Sequence, residues 1–277
     1  MSNILDKIFA DKKVELGSVK RQLALADVKT RMADKSHKVR NIEQALQPDK
    51  GSPNGGSRII AEIKPRTPFK GELRANVDPA EIAKTYADNG AAALSILTES
   101  SYFGGCLSTL EKARECVETP LLRKDFIFDE YQVYEARAFG ADGFLLIATW
   151  LDKNHLADLL ELGKELGLPA LVETHNEKDM EKAFAAGGTI LGINNRDLTS
   201  GKTDLGIARR LIPMALQIPG NTLVCESGIH SRKEIEEFEE RGAHSFLIGE
   251  SLMTADNIGE KLKEFTGDRK TSAANQS

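Results

Sequence analysis

From Arg58 onward the chain alternates short apolar runs with longer amphipathic stretches. The runs RIIAEIK, AALSIL, PLLRKDF, ADGFLLIA, PALVETH, TILGIN, NTLVCES and HSFLIGE are almost unbroken apolar segments of strand length, the pattern of strands buried on both faces. Between them, segments such as DPAEIAKTYADNG, STLEKARECV, DEYQVYEARAFG, LADLLELGKELG, EKDMEKAFAAG and RKEIEEFEERG repeat apolar residues at helical spacing, and several end in glycine, as helix C-termini do. Strand starts recur every 20 residues or more, roughly the length of one strand-helix unit. Eight such units predict an α/β fold of the (β/α)8 TIM-barrel type. A doubly wound open sheet is disfavoured, since it more often has fewer strands and a GxGxxG turn after the first, which this sequence lacks.

Ahead of the barrel, residues 1–47 place Ile4, Leu5, Ile8, Val14, Leu16, Val19 and Leu23 at three-to-four spacing among charged residues, which predicts an N-terminal helical extension. Pro48 to Ser57 concentrates Pro, Gly, Asn and Ser and reads as a loop. Residues 266–277 are expected to form a disordered tail. The whole chain, 1–277, is thus expected to be one barrel domain with this extension.

Composition narrows the function. The chain has 277 residues, 40% of them hydrophobic, enough for one large core. Its 37 Lys and Arg face 42 Asp and Glu, a net charge of -5, which is unfavourable for wrapping a polyanion, so no nucleic-acid partner is expected. Cys106, Cys116 and Cys225 have no CxxC spacing, which suggests neither a disulfide framework nor a zinc knuckle. No apolar stretch reaches the roughly 18 residues of a membrane span and the start lacks a signal-peptide core, so a cytoplasmic protein without a membrane partner, a monomer or weak homo-oligomer, is expected.

In a parallel barrel the chemistry sits at the C-terminal ends of the strands, and polar residues gather there. The first run ends Glu62-Ile-Lys64, the third Arg123-Lys124-Asp125, the fifth Glu173-Thr-His175, the sixth Asn194-Asn-Arg196 and the seventh Glu226-Ser-Gly228. Glu62 and Lys64 are two apart and so share one side of their strand. If Ala61, Ile63 and Pro65 face the helices, this pair faces the barrel axis, where the two charges neutralise each other. The last two runs end in Gly228 and Gly249, each followed by a helical pattern, SRKEIEEF and SLMTADNIGEKL. Glycine permits close backbone approach and helix N-termini hold anions, so these loops are candidate phosphate binders, with a possible hydroxyl from Ser251.

The ordered set AEIKPRTPFKG, SILTESSYFGG, LLRKDFIFDEYQVYEARAFGAD, LVETH, INNRDL, CESGI and IGESLM resembles the indole-3-glycerol-phosphate synthase family from about Arg58 to Met253. The leading ILDKIFADKKVEL resembles the helical cap of that family. The resemblance implies a carboxy-lyase of tryptophan biosynthesis that needs no cofactor or metal. Its small phosphorylated substrate would be 1-(o-carboxyphenylamino)-1-deoxyribulose 5-phosphate, closed to indole-3-glycerol phosphate with loss of carbon dioxide and water. It implies Lys124 as general acid and Glu173 as general base, with Glu62, Lys64, Asn194 and Glu226 orienting or stabilising the reacting groups. Substrate binding would fall to Lys64, Thr67, Phe103, Phe126, Arg196, Ser227, Gly228, Gly249 and Ser251, the two phenylalanines lying around the aromatic ring. The chain departs from the family pattern at Thr67, which keeps a hydroxyl, and at Glu250, whose charge suits the phosphate loop only if the side chain turns outward.

The remaining residues fit around this reading. The five histidines show no HxH or HExxH spacing, which disfavours a metallohydrolase. His175 is expected as a supporting or surface residue, Trp150 as packing, Cys225 as core, and Asp197 as a partner of Arg196 or a turn cap. Phe126, Arg123 and Lys64 are candidates for lowering the pKa of Lys124, while Glu173 and Glu226 would raise it. Two other classes stay open: a phosphoribosylanthranilate isomerase, whose Cys or Asp acid-base pair the first strand does not offer, and a non-catalytic binding barrel.

Overall fold

The computed structural model describes residues 4–34, 37–48, 56–75, 78–197 and 200–267. Eight parallel strands, β1 (Arg58–Ile63), β2 (Ala93–Leu97), β3 (Leu121–Lys124), β4 (Gly143–Ile147), β5 (Ala170–Thr174), β6 (Ile190–Asn194), β7 (Thr222–Glu226) and β8 (Ser245–Ile248), pair in sequence order and close through β8 against β1. This is the (β/α)8 barrel that the eight apolar runs predict. Around it lie α4 (Pro79–Asp88), α5 (Leu107–Cys116), α6 (Glu130–Ala138), α7 (Lys153–Glu165), α8 (Glu177–Ala186), α9 (Gly206–Ala215), α10 (Arg232–Glu240), and then α11 (Glu250–Met253) with α12 (Ile258–Thr266). They follow α1 (Ile4–Gln22), α2 (Leu25–Asp34) and α3 (Ile42–Ala45), which precede the barrel.

Strand alternation divides the core in two. Ile59, Ala61, Ile63, Leu94, Ile96, Leu121, Phe144, Leu146, Val172, Leu191, Ile193, Cys225, Phe246 and Ile248 point outward and pack with the helices. Cys225 is thus the core residue expected. Ile60, Ala93, Leu122, Leu145, Leu171, Ile190, Val224 and Leu247 point inward and fill the barrel. Glu62 and Lys64 follow Ile60 on the inward side, as their spacing requires.

The N-terminal extension does more than precede the barrel. Helix α1 lies across the C-terminal mouth, where Phe9 stacks on Trp150 at 4.0 Å and meets Phe126 edge-on at 5.2 Å. Trp150 therefore packs, as expected. Lys12 of α1 reaches Asp125, beyond β3, at 3.1 Å. Helix α2 then runs beside α6, and α3 arrives at the opposite end. There Ile42 and Leu46 close the interior from below, the Ser245 hydroxyl donates to the Leu46 carbonyl at 2.7 Å, and Gln47 donates to Thr222 at 2.7 Å. The extension thus plugs the bottom of an apolar cylinder and packs along one side of its mouth, which stays open to solvent.

Two local readings change. The segment SLMTADNIGEKL does not form one helix: Arg74 donates to the carbonyls of Met253 and Ala255 and ends α11 after one turn, while Asn257 accepts from the Glu260 N–H and starts α12. A two-residue hairpin, Arg66–Thr67 against Gly71–Glu72, stands between β1 and α4 where no strand signal is visible. Of the loop expected over Pro48–Ser57, residues 49–55 lie outside the described residues, as do 268–277 of the expected tail; Thr266 and Gly267 close α12. Among the described residues no helix is long and apolar enough to cross a membrane.

The plug makes a stability prediction. Leu46 is buried at the closed end, so Leu46→Ala should leave a cavity and cost about 2–5 kcal/mol. Urea unfolding checks this: the midpoint should fall at unchanged slope, and an unmoved midpoint would mean that α3 adds nothing to the barrel.

Candidate active site

The inward alternation that buries leucines low in the barrel brings charged residues to its mouth. There a cavity of about 1020 Å³, open to solvent, is lined by Glu62, Lys64, Thr67, Phe103, Lys124, Phe126, Glu173, Asn194, Arg196, Glu226, Ser227, Gly228, Gly249 and Ser251. Every candidate residue from the sequence therefore faces one space. Phe69, Asp125, Leu145, Ile147, Ile229, His230, Leu247 and Glu250 also line it.

At its base is a buried charge cluster. The Lys124 ammonium lies 2.9 Å from Glu173 Oε2 and 2.8 Å from Glu226 Oε2, while the Lys64 ammonium lies 2.6 Å from Glu62 Oε2. An ammonium has three donors; two of those on Lys124 are taken by carboxylates. Burial alone would lower the pKa of Lys124, but Glu173, Glu226 and Glu62 outweigh it and hold the side chain charged well above its ordinary range. Burial opposes ionisation of Glu173 as well, yet Lys124 and His175 prevail and its pKa falls. Glu226 goes the other way: burial raises it, Lys124 pulls it down, and the neighbouring Glu173 and Glu62 keep the net direction upward. Its Oε1 is buried with no hydrogen-bond partner among the described residues.

Arg123 takes no part in tuning Lys124, contrary to the sequence expectation. Adjacent residues on a strand face opposite sides, and the guanidinium of Arg123 lies outside the barrel, bound to Asp125 at 3.0 Å, Glu135 at 2.8 Å and the Gln132 carbonyl at 2.8 Å. With Lys12 and Thr98 it fixes Asp125, whose second oxygen accepts from the Phe126 N–H at 2.9 Å. The aromatic wall is thus anchored by ionic groups behind it. Glu99 anchors Phe103 likewise, accepting from the N–H groups of Ser101, Tyr102 and Phe103 at 2.8–2.9 Å.

Two glycines make room for carboxylates, a role the sequence did not signal. A Cβ at Gly192 would stand 2.3 Å from Glu226 Oε1, and one at Gly249 would stand 2.3 Å from Glu62 Oε2. Both distances are far inside contact, so any larger residue would displace the acid. Asn195, buried just past β6, also went unremarked: its side chain donates to the Glu226 and Ser227 carbonyls at 3.1 and 3.2 Å and accepts from the Ala208 N–H. It ties β6, β7 and α9 together. Asn194 accepts from the Arg196 N–H at 2.9 Å, which aims its amide group.

Opposite the charge cluster, the backbone turns sharply through Ser227 and Gly228, with φ of 64° and 76°. The first N–H groups of α11 have no intrahelical acceptor and adjoin this turn. The Ser251 hydroxyl is already committed: it donates to the Ile229 carbonyl at 2.6 Å and contacts His230 Nδ1 at 3.1 Å. It joins the β7 and β8 loops rather than offering a free donor. Glu250 does not turn outward. It borders the cavity, bound to Lys70 from the hairpin and to Arg196 at 3.2 Å, and these cations draw its pKa down against burial. Thr67 accepts from the Lys70 N–H at 3.0 Å and fixes the hairpin turn. Asp197 caps a turn, accepting from the Ser200 N–H and hydroxyl.

A family model described as indole-3-glycerol phosphate synthase matches residues 5–265. A relative of that description from Desulfosudis oleivorans is 42% identical over 95% of this chain and 98% of its own length; one from Roseiflexus sp. is 41% identical over 96% and 99%. Among solved structures, a 3-hexulose-6-phosphate synthase from Salmonella typhimurium aligns with a TM-score of 0.61 at 12% identity over 76% of this chain and 97% of that one. A tryptophan synthase alpha-subunit mutant from Pyrococcus furiosus aligns at 0.58 and 14% over 76% and 99%. These two share the fold.

Glu250 occupies the cations beside the Ser227–Gly228 turn, so an anion bound at that turn would meet its charge. Glu250→Gln should bind inorganic phosphate several-fold more tightly, since a unit charge in such a partly screened site is worth about 1 kcal/mol or more. Calorimetric titration at fixed ionic strength reads this directly; equal affinity in the two proteins would remove Glu250 from the anion site.

Proposed function

The chain belongs to the indole-3-glycerol phosphate synthase family, decarboxylating lyases of tryptophan biosynthesis, and from that premise we propose that its barrel mouth closes the indole ring on 1-(o-carboxyphenylamino)-1-deoxyribulose 5-phosphate. The observation that carries this reading is the Lys124 ammonium held between Glu173 and Glu226 in the same cavity as an aromatic wall and the Ser227–Gly228 turn. The substrate has a matching order of groups: an aryl carboxylate at one end, a ketone in the middle and a phosphate at the other.

The aryl ring lies against Phe103 and Phe126, whose centroids are 6.1 Å apart. The phosphate lies toward Ser227, Gly228, Gly249 and the Ser251 backbone, with Lys64 and Arg196 supplying charge. This leaves the ketone near Lys124, whose third N–H bonds its oxygen. As the carboxyl-bearing ring carbon attacks the ketone carbon, negative charge develops on that oxygen and Lys124 protonates it. A high pKa does not disqualify this acid, because a developing alkoxide is a stronger base than an amine.

Attack leaves the ring as a cationic iminium. The electron pair of the breaking bond to carbon dioxide flows into that cation, so the chemistry itself calls for no external electron sink. Lys124, reprotonated from solvent, gives a second proton to the former ketone oxygen, which departs as water, and Glu173, kept ionised by Lys124 and His175, removes the proton from the adjacent carbon that completes the indole. Glu226 and Glu62 hold the two lysines, and Asn194 orients the intermediate. Crowding by Phe126, backed by Phe9, turns the departing carboxylate out of the ring plane.

Two measurements follow the fluorescent indole product. Lys124→Met should lower kcat by at least about 10²–10⁴-fold, the usual contribution of a positioned acid, and equal turnover by the two proteins would take Lys124 out of the mechanism. Phe126→Ala should lower kcat as well as raise KM; a change in KM alone would mean that the ring only binds.

A further inference from the structure

Glu173 Oε2 is bound by Lys124, but Oε1 faces a group that the proposed reaction does not by itself require. His175, two residues on and on the same side of the chain, brings its Nε2 to 3.3 Å from Glu173 Oε1. That nitrogen is buried and completes no hydrogen bond among the described residues; Glu173 Oε1 is the group it faces. Behind it, His175 Nδ1 lies 3.2 Å from the Thr149 hydroxyl, and that hydroxyl donates to Asp179 Oδ2 at 2.5 Å. The same carboxylate oxygen accepts from the His175 backbone N–H at 3.2 Å and from Asn176 Nδ2 at 3.1 Å.

Counting protons along this line fixes the state of the ring. Thr149 has one hydroxyl proton, and Asp179 takes it. The bond between Thr149 and His175 must then be donated by Nδ1–H. A neutral ring with its proton on Nδ1 would turn the lone pair of Nε2 onto a carboxylate oxygen, two acceptors face to face with no water between. The contact is attractive only with a proton in it, and with Lys124 on the other oxygen keeping Glu173 ionised, that proton belongs to Nε2.

We propose that His175 is a positioning residue which works as an imidazolium, clamping the catalytic carboxylate of Glu173 through Nε2–H while Thr149 and Asp179 fix the ring from behind. The proposal rests on Glu173 being the base. The charged groups around the ring are Glu173 on β5, Asp179 on α8 and Glu226 on β7, with Lys124 on β3 beyond Glu173. Burial of the ring opposes its protonation, but Glu173, Asp179 and Glu226 together raise its pKa above the ordinary 6.5.

The sign of the pH effect follows. The clamp exists below the raised pKa of His175 and is lost as pH climbs through it, so kcat should fall on the alkaline side. Asparagine at this position can donate to Glu173 without titrating. His175→Asn should therefore keep most of kcat and lose that alkaline limb, whereas His175→Ala should lower kcat about tenfold with little change in KM. An Asn variant whose limb coincides with that of wild type, or an Ala variant with undiminished kcat, would overturn the proposal.

Nitrogen-15 NMR of the histidine rings in the intact enzyme provides a test that needs no turnover. At neutral pH both nitrogens of His175 should be protonated, and Glu173→Gln should return the ring toward its ordinary pKa. A neutral ring at pH 7, or a pKa indifferent to Glu173→Gln, refutes the clamp. Retained turnover by Glu173→Gln would instead remove Glu173 as the base, so failure of the clamp and failure of the mechanism give different results.

Discussion

The structure of the mouth depends on one ammonium group. Glu173 and Glu226 each come within 3 Å of Lys124, and without that cation two buried carboxylates from neighbouring parts of the barrel would repel each other at low dielectric. Removing one partner of a buried pair commonly costs about 3–5 kcal/mol, because the other charge is left unpaired. The barrel is well suited to bear this strain. Its strands are locked on both sides by hydrogen bonds, so the positions of the three groups are set by strand register rather than by flexible loops. Gly192 and Gly249 belong to the same arrangement, since the space their missing side chains leave is occupied by Glu226 and Glu62.

The sequence made the barrel and the identity of most mouth residues legible because both follow from period-two alternation. A strand that ends in a charged or polar residue on its inward phase has nowhere to place it except the mouth, and this holds for Glu62, Lys124, Glu173, Asn194 and Glu226. What alternation could not carry was contact between strands. The clearance that Gly192 leaves for Glu226 links β6 to β7, and the turn of Glu250 toward Lys70 and Arg196 depends on a hairpin with no strand signal. Arg123 was read as near Lys124 because it is adjacent in sequence, though the same alternation puts it on the other face. The helix expected after β8 fails for a related reason: Arg74, nearly 180 residues away in the chain, takes the carbonyls that would have continued it.

The extension shows how a helical signal can be correct and still hide its purpose. Its amphipathic pattern announces helices, not that one will flank the mouth and another floor the barrel. Helix α1 contributes Phe9 to the aromatic wall and Lys12 to the ionic group behind it. Because Asp125 accepts from the Phe126 N–H while paired with Lys12 and Arg123, any shift of α1 is felt at the ring surface of the cavity. Packing at the mouth is coupled to the cavity wall through residues outside the Lys124 cluster.

Under the proposed reaction, the electrostatic layout would also orient a substrate with a negative charge at each end. The base of the mouth is rich in carboxylates and repels anions unless its lysines are exposed to them, while the turn after β7 offers backbone N–H groups next to Arg196 and Lys64. A phosphate carries the greater charge and gains most from that turn, so it should settle there and leave the singly charged carboxylate to the apolar wall. A carboxylate stranded among phenylalanines is poorly solvated, and losing it as neutral carbon dioxide relieves that cost. In the proposed reaction, the asymmetry that sets which way round the molecule binds would therefore also favour the bond that breaks.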